Sequence, residues 1–457
     1  MLHILFLFAC SEDKTPQETT EYIPPEIWGV ETLEDINPDP NIVEVVMEAS
    51  VQDKNIGGET VPNMWVYNGL TPGPLLQAKK GDTVIVHFTN NLEEATTIHW
   101  HGLRIPEDMD GTPAVQAPIE PGEEFTYEFV VPDSGSYWYH PHVRSHEAIE
   151  RGLQGSIVIH EPTDPIVEKE RFFVLDDLYL NDNGVMGSFD MSHMVSVHGR
   201  TGNNLLVNGQ NALVEPLTDT VAPEKVERWR IVNTANARTM WIDVQGAAWR
   251  IIAIDGTTLE EPYKTDEALL PIGRRFDIEV LPDADYEETS LEVLLPNQSG
   301  RFDRYPVFVA SIEGETGENA WKEWPAEVLP EASMDAEQEI TLELDGTMGN
   351  NGIATWTING ETYDESDPLP VKGNTPTLIR IIEKSGAEHP YHLHGEFFQI
   401  LERSSGEMLP GQMDTLLIEG DEEVVLWTEF TNIGSWMSHC HILEHAELGM
   451  MGEIIVE

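Results

Sequence analysis

The chain has 457 residues, 40% of them hydrophobic, with 82 Asp+Glu against 25 Lys+Arg and a net charge of −57. That length suggests about three domains, and that apolar content excludes a disordered acidic polymer. The charge excludes nucleic acid as a partner and fits a surface kept solvated at high ionic strength; attraction of cationic substrates is the weaker reading, because salt screens exposed charge beyond about 8–10 Å.

The chain begins with an apolar run, "MLHILFLFAC", followed by a polar, Pro/Glu-rich stretch. The run resembles a bacterial lipoprotein signal ending in Leu7-Phe8-Ala9-Cys10, although it has no Lys or Arg ahead of the apolar part. On that reading residues 1–10 are a signal, 11–40 a polar tether, and the protein is exported to the periplasm or beyond, anchored to the membrane through a lipidated Cys10. No other span is long enough to cross a bilayer. The only other cysteine, Cys440, then lacks a disulfide partner and needs another job.

From residue 41 the pattern is all-β. Runs such as "DTVIVHF", "EEFTYEFVV" and "EEVVLWTEF" alternate in polarity and are bounded by Gly, Pro and Asn turns, at the spacing of β-sandwiches. Internal comparison divides the chain further. "VHFTNNLEEATTIHWHG", "WRIVNTANARTMWIDVQG" and "LIRIIEKSGAEHPYHLHG" align on Gly102, Gly246 and Gly395. The segment holding His140 and His142 likewise matches the one holding His439 and His441. Three related sandwiches are expected, near 41–162, 163–318 and 338–457, with the acidic stretch 313–337 linking the last two. The first and third keep their histidines. The middle copy has Asp243 and Gln245 in their place, so it is expected to carry no ligands. Pro141 stands where Cys440 stands, and Leu153 where Met450 stands, so domain 1 reads as domain 3 without a cysteine–methionine site.

Four motifs hold ten of the sixteen histidines: His99-Trp-His101, His140-Pro-His142, His389-Pro-Tyr-His392-Leu-His394, and His439-Cys-His441 with His445 four residues on. In a strand, residues i and i+2 share a face, so each His-x-His presents two imidazoles side by side. Eight such imidazoles can meet between domains 1 and 3, and neutral histidines without carboxylates suit copper. If His439 and His441 face that interface, Cys440 faces the other way, into the domain 3 sandwich. There it can join His389, His445 and Met450, the donor set of a blue-copper electron-transfer site.

These motifs, in this order over nearly all of residues 41–457, resemble the multicopper oxidase family, specifically its three-domain bacterial laccase-like members. The resemblance implies three tandem cupredoxin-like Greek-key sandwiches and four copper ions per chain. It implies a type 1 copper on His389, Cys440, His445 and Met450. A type 2 copper would use His99 and His392, and a type 3 pair His101, His140, His142, His394, His439 and His441. A small donor such as a phenol, an aromatic amine or a low-valent metal ion would be oxidised one electron at a time at the edge of His445. Dioxygen would be reduced to water at the trinuclear cluster.

Asp110, nine residues after His101, matches an acidic residue near the cluster in similar bacterial enzymes and is the expected proton relay. Many of those enzymes also have Glu or Asp directly after the last motif histidine. Here that position is Ala446, so water is expected to stand in for the missing carboxylate, with Glu444 and Glu447 on either side not required to point inward. His146, His87 and His160 read as ordinary structural or surface residues. Met186, Met191 and Met194, near His193 and His198, read as a packed or disordered loop. They are nonetheless the best hint of an alternative role, a metallo-oxidase for Cu(I), Fe(II) or Mn(II). A non-catalytic copper-binding electron carrier or assembly protein is a further alternative, opposed by the complete ligand set. The natural donor and the oligomeric state are not encoded in these motifs.

Overall fold

The computed structural model describes residues 22–297 and 299–457; Cys10 lies outside the described residues. The described chain is almost entirely β-structure, arranged as three pairs of sheets. In the first pair, strands Glu59–Tyr67, Ile42–Ile56, Thr83–Asn90 and Glu124–Val130 lie side by side and face Gly73–Lys79, Gly155–His160, Gly135–His140 and His99–His101. The third pair repeats this plan. One sheet is ordered Ala354–Ile358, Gln338–Met348, Pro376–Glu383, Glu423–Glu429, Gln399–Arg403, and the other Leu369–Val371, Met451–Val456, Gly434–Cys440, His389–Leu393, Thr415–Ile418. The middle pair is larger, an eight-stranded and a five-stranded sheet. These are the tandem cupredoxin-like sandwiches that the alternation and the resemblance implied.

The outer sheets follow the period-two rule. Along Thr83–Asn90, Val84, Val86 and Phe88 are buried while the residues between them are partly exposed. Along Glu124–Val130, Tyr127 and Phe129 point inward and Glu124 and Glu128 outward. The inner strands break the rule. Every residue of Gly135–His140, His99–His101 and His389–Leu393 is buried. Both faces of these strands are covered: Trp100, Tyr137 and Tyr139 fill the domain 1 core, while the alternate residues, His99, His101 and His140, meet domain 3.

The repeat is visible in the ladders. His99 pairs with His140 across domain 1, and His392 with His439 across domain 3. Gly102, Gly246 and Gly395 all have positive φ, which closes the same turn in each copy. In the middle copy Asp243 forms an ion pair with Arg304 and Gln245 bonds to Asp243, so both positions serve the domain 2 surface. The linker 313–337 has no strand or helix, yet it is held down: Trp321 and Trp324 stack on Arg250 and Arg228 of domain 2 at 4.7 and 4.6 Å. Among the described residues no helix is long and apolar enough to cross a membrane.

Candidate metal centres

Domains 1 and 3 close on each other through their histidines. His101 stacks on His392 with ring centroids 3.7 Å apart, and His99 stacks on His394 at 4.0 Å. Around this double stack the ligand atoms fall into overlapping triads, each within 4.8 Å: His99–His101–His392, His99–His140–His142, His101–His140–His441 and His142–His394–His439. All eight interface imidazoles of the four motifs therefore meet in one buried cluster.

The hydrogen bonds decide which nitrogen of each ring is free. His99 Nδ1 donates to the Asp110 carbonyl at 2.8 Å, His392 Nδ1 to the Asp414 carbonyl at 2.9 Å, and His140 Nδ1 to the Pro141 carbonyl at 3.2 Å. Each leaves its Nε2 buried with no partner. His101 is turned the other way: Nε2 meets the Asp414 carboxylate at 3.2 Å and Nδ1 is left bare. Buried nitrogen lone pairs without donors are costly unless something electrophilic lies between them. Burial and then the neighbouring imidazoles push His101, His142, His394 and His441 far below the usual imidazole range, and His439 down to about 3, so the rings are held neutral and ready to ligate.

A fifth triad lies on the opposite side of the Gly434–Cys440 strand. Cys440 Sγ is 3.5 Å from His389 Nδ1 and 3.8 Å from His445 Nδ1, and the two Nδ1 atoms are 3.3 Å apart. The alternation argument holds here, since Cys440 turns away from the His439–His441 face. Met450 is fully buried in the same core. The backbone ties it to both ligands: Cys440 N–H donates to the Met450 carbonyl at 3.1 Å and Met450 N–H to the His445 carbonyl at 3.0 Å. Burial pushes the Cys440 thiol up, so only a bound cation would keep it a thiolate. Three neutral or soft donors in a dry pocket fit copper. The two centres are joined directly, because His439 Nδ1 donates to the Cys440 carbonyl at 2.8 Å.

Asp110 follows the 3-10 turn Glu107–Met109 and is buried between the domains. Its Oδ2 accepts from His394 Nδ1 at 2.9 Å, while Oδ1 makes no hydrogen bond but lies 3.3 Å from His99 Nδ1. The next residue has to be glycine: Gly111 has φ +81°, and a Cβ there would lie 1.9 Å from the Ile98 carbonyl. Ala446 lines a partly open pocket of about 70 Å³ that reaches His140, His142 and His439. Glu447 lines it too, at its solvent side, with its side chain 41% exposed. Glu444 instead accepts from Asn236 of domain 2 at 3.2 Å. His146 is buried, with Nδ1 3.3 Å from Glu447. The domain 1 counterpart of His445 is Ala148, whose carbonyl accepts from Leu153 N–H just as that of His445 accepts from Met450.

Two features were not legible in the motifs. The first is the cover on His445, which is 1% exposed. Its Nε2–H donates to the Val197 carbonyl at 3.1 Å, and Trp356 stacks on the ring at 4.0 Å. Val197 belongs to the helix His193–His198, whose Ser196 binds Ala354 N–H at 3.0 Å and Trp356 Nε1 at 2.8 Å. The expected electron-donor edge is therefore roofed by domain 2, and the methionine segment is packed, with only Met194 among its methionines well exposed (61%). The second is a buried charge network. Arg275 grips both oxygens of Asp414 at 2.7 and 2.6 Å, Thr415 Oγ1 donates to Oδ1 at 2.8 Å, and Asp255 accepts the Asp414 and Thr415 N–H groups at 3.3 and 3.2 Å. Burial alone would raise the Asp414 carboxyl, but Arg275 overrides it and holds the group below the usual carboxylate range. The one clue in the sequence was two adjacent arginines, "GRRFDIEV", in an apolar strand of a chain with only 25 basic residues.

Comparison with known proteins agrees with this geometry. The multicopper oxidase family models match residues 49–164, 169–288 and 333–457. The multicopper oxidase mco of Staphylococcus epidermidis is 32% identical over 85% of this chain and 83% of its own. MmcO of Mycobacterium tuberculosis is 29% identical over 87% of this chain and 83% of its own. The solved structure of a Campylobacter jejuni multicopper oxidase, described as a metallo-oxidase, superposes with TM-score 0.81 at 28% identity, covering 95% of this chain and 96% of that one. With three matched domains, an eight-histidine cluster and a cysteine–histidine site beside it, the chain belongs to the multicopper oxidase family, as a copper-dependent oxidase that couples a reducing substrate to dioxygen.

Proposed function

We propose that this is a laccase-like oxidase with a type 1 copper on His389, Cys440, His445 and Met450. In this reading a type 2 copper uses His99 and His392, and a type 3 pair uses His101, His140, His142, His394, His439 and His441. The observation that carries it is the set of bare ring nitrogens gathered into overlapping triads, each within 4.8 Å, back to back with the Cys440 triad. Copper held there supplies one-electron oxidation at the mononuclear site and reduction of dioxygen to water at the cluster. The protein's own parts supply a dry site, fixed tautomers and a short path from Cys440 to His439. Copper quantitation with an absorption spectrum tests all assignments together. Four coppers, an intense thiolate band and a near-ultraviolet shoulder are expected; fewer than four with the thiolate band present would refute the trinuclear set.

Asp110 is assigned the proton relay. It is buried, bonded to His394 through one carboxylate oxygen, and its other oxygen, 3.3 Å from His99 Nδ1, makes no hydrogen bond. On the other side of the cluster the cavity beside Ala446 has room for a few waters, which take the place of the carboxylate found there in similar enzymes. The domain limits 41–162, 163–318 and 338–457, export, and a lipid anchor at Cys10 belong to the same reading.

A second reading concerns the donor. The roof over His445 bars a bulky phenol from touching the ring and favours a small donor such as Cu(I), Fe(II) or Mn(II) delivering its electron through the Val197 carbonyl. The Campylobacter relative described as a metallo-oxidase points the same way. Comparing kcat/KM for these ions with that for a phenol separates the two. Absence of oxygen uptake with every donor would leave only a copper carrier, and uptake at fewer than four electrons per dioxygen would refute reduction to water.

A further inference from the structure

The two imidazoles of the cysteine site are anchored differently on the sides turned away from it. His445 Nε2–H donates to the Val197 carbonyl, a neutral acceptor. His389 Nε2 lies 3.1 Å from the Ser385 hydroxyl, and that hydroxyl is bonded to the carboxylate of Glu383, which is 3% exposed. Glu383 Oε1 is itself 3.6 Å from His389 Nε2, beyond hydrogen-bond reach, so the hydroxyl is the link. Glu383 ends the strand Pro376–Glu383 and His389 opens the strand His389–Leu393, so the acid and the histidine flank the short loop 384–388.

Donors and acceptors allow one arrangement of this chain. His389 Nδ1 faces Cys440 Sγ and His445 Nδ1, so the ring proton sits on Nε2. Ser385 Oγ accepts that N–H and the Ala387 N–H, at 3.1 and 3.2 Å. Its single proton is left for Glu383 Oε1. Oε1 also accepts from Ser385 N–H at 2.5 Å, and Oε2 accepts from Gly386 and Asp421 N–H at 2.9 and 2.7 Å. Two donors on each oxygen leave no place for a proton, so the carboxylate carries its full negative charge. Buried, that charge is screened by salt far less than one on the surface.

We propose that Glu383, acting through Ser385, is a positioning residue that lowers the reduction potential of the cysteine site; the inference rests on the assignment of a type 1 copper to His389, Cys440, His445 and Met450. Reduction removes one positive charge from that site. A fixed negative charge behind His389 therefore favours the oxidised state over the reduced one. A hydrogen-bond chain ending in a carboxylate also makes the imidazole a stronger ligand and fixes its tautomer and ring plane. Both effects have the same sign. The consequence is donor selection. A site of lower potential is reduced by readily oxidised donors and passes the electron on to the cluster with more driving force, while donors of high potential reduce it poorly.

The test is a redox titration of the copper-loaded enzyme against a one-electron mediator of known potential, read at the thiolate absorption band. Glu383→Gln should shift the equilibrium toward reduced copper by at least about threefold, where tenfold is about 59 mV for one electron. Ser385→Ala leaves Glu383 its three backbone N–H bonds and should shift the equilibrium in the same direction by as much. Ser385→Thr keeps the hydroxyl and should stay close to wild type. Either of the first two variants carries the test should the other not fold. With the thiolate band intact, a smaller shift in Glu383→Gln or Ser385→Ala would overturn the proposal. So would a shift toward oxidised copper, or one in Ser385→Thr equal to that in Ser385→Ala. Absence of the thiolate band from the wild-type enzyme would instead refute the type 1 assignment, so the two failures are distinguishable.

Discussion

Replacing Arg275 by methionine isolates what the ligand-free middle domain contributes to the copper cluster. In the native fold its guanidinium grips Asp414 at 2.7 and 2.6 Å, and both groups are fully buried. Removing one partner of such a pair strands the other charge, which costs about 3–5 kcal/mol. Burial then drives the Asp414 carboxyl upward, and the side chain relieves its charge by taking a proton. A protonated Asp414 donates where it accepted before, and His101 Nε2 lies 3.2 Å away. The His101 tautomer would reverse, and Nδ1, now bare toward the cluster, would carry the proton. Arg275→Met should therefore lose copper from the trinuclear site while keeping the thiolate band of the type 1 copper. The assay is copper per chain with low-temperature paramagnetic resonance, joined to a double-mutant cycle with Asp414→Asn. Because Asn strands no charge, the double variant should be more stable than the sum of the single losses predicts, by at least about 1 kcal/mol. Full copper occupancy, or strict additivity, would refute the reasoning.

Three further outcomes are expected. Asp110→Asn should slow turnover by a factor on the order of 10²–10⁴ while the thiolate band still bleaches at the normal rate on anaerobic reduction; normal turnover would remove Asp110 from the proton path. The copper-free protein should lose stability as pH falls below about 6.5. Its buried imidazoles stay neutral in the fold but take protons once unfolded, at about 1.4 kcal/mol per pH unit for each. For His439 and His445 this continues down to about pH 3, and a flat denaturation profile between pH 7 and 5 would contradict it. Ser196→Ala removes the Oγ bond to Ala354 N–H and loosens the helix over His445. It should raise kcat/KM for a bulky phenol severalfold, with little change for Fe(II); equal changes for both donors would show that the roof does not select among them.

What the sequence determined by itself was local and periodic. A strand repeats its faces every two residues, so His-x-His fixed paired imidazoles and sent Cys440 to the opposite side without any knowledge of the fold. The internal repeat did the same for domain 2, where Asp243 and Gln245 announced the loss of ligands. Tertiary structure decided what no local period carries. His101 meets Asp414 across 313 residues and His445 meets Val197 across 248, and such contacts depend on how three sandwiches close on one another. Arg275 belongs to the domain that the motifs marked as empty. Ala446 read as a missing acid, and it lies on the wall of a pocket whose rim carries Glu447, one residue further along the helix Leu443–Glu447. Ligand identity follows from side-chain type and strand period, whereas the groups that orient, roof and hydrate those ligands arise from docking between domains.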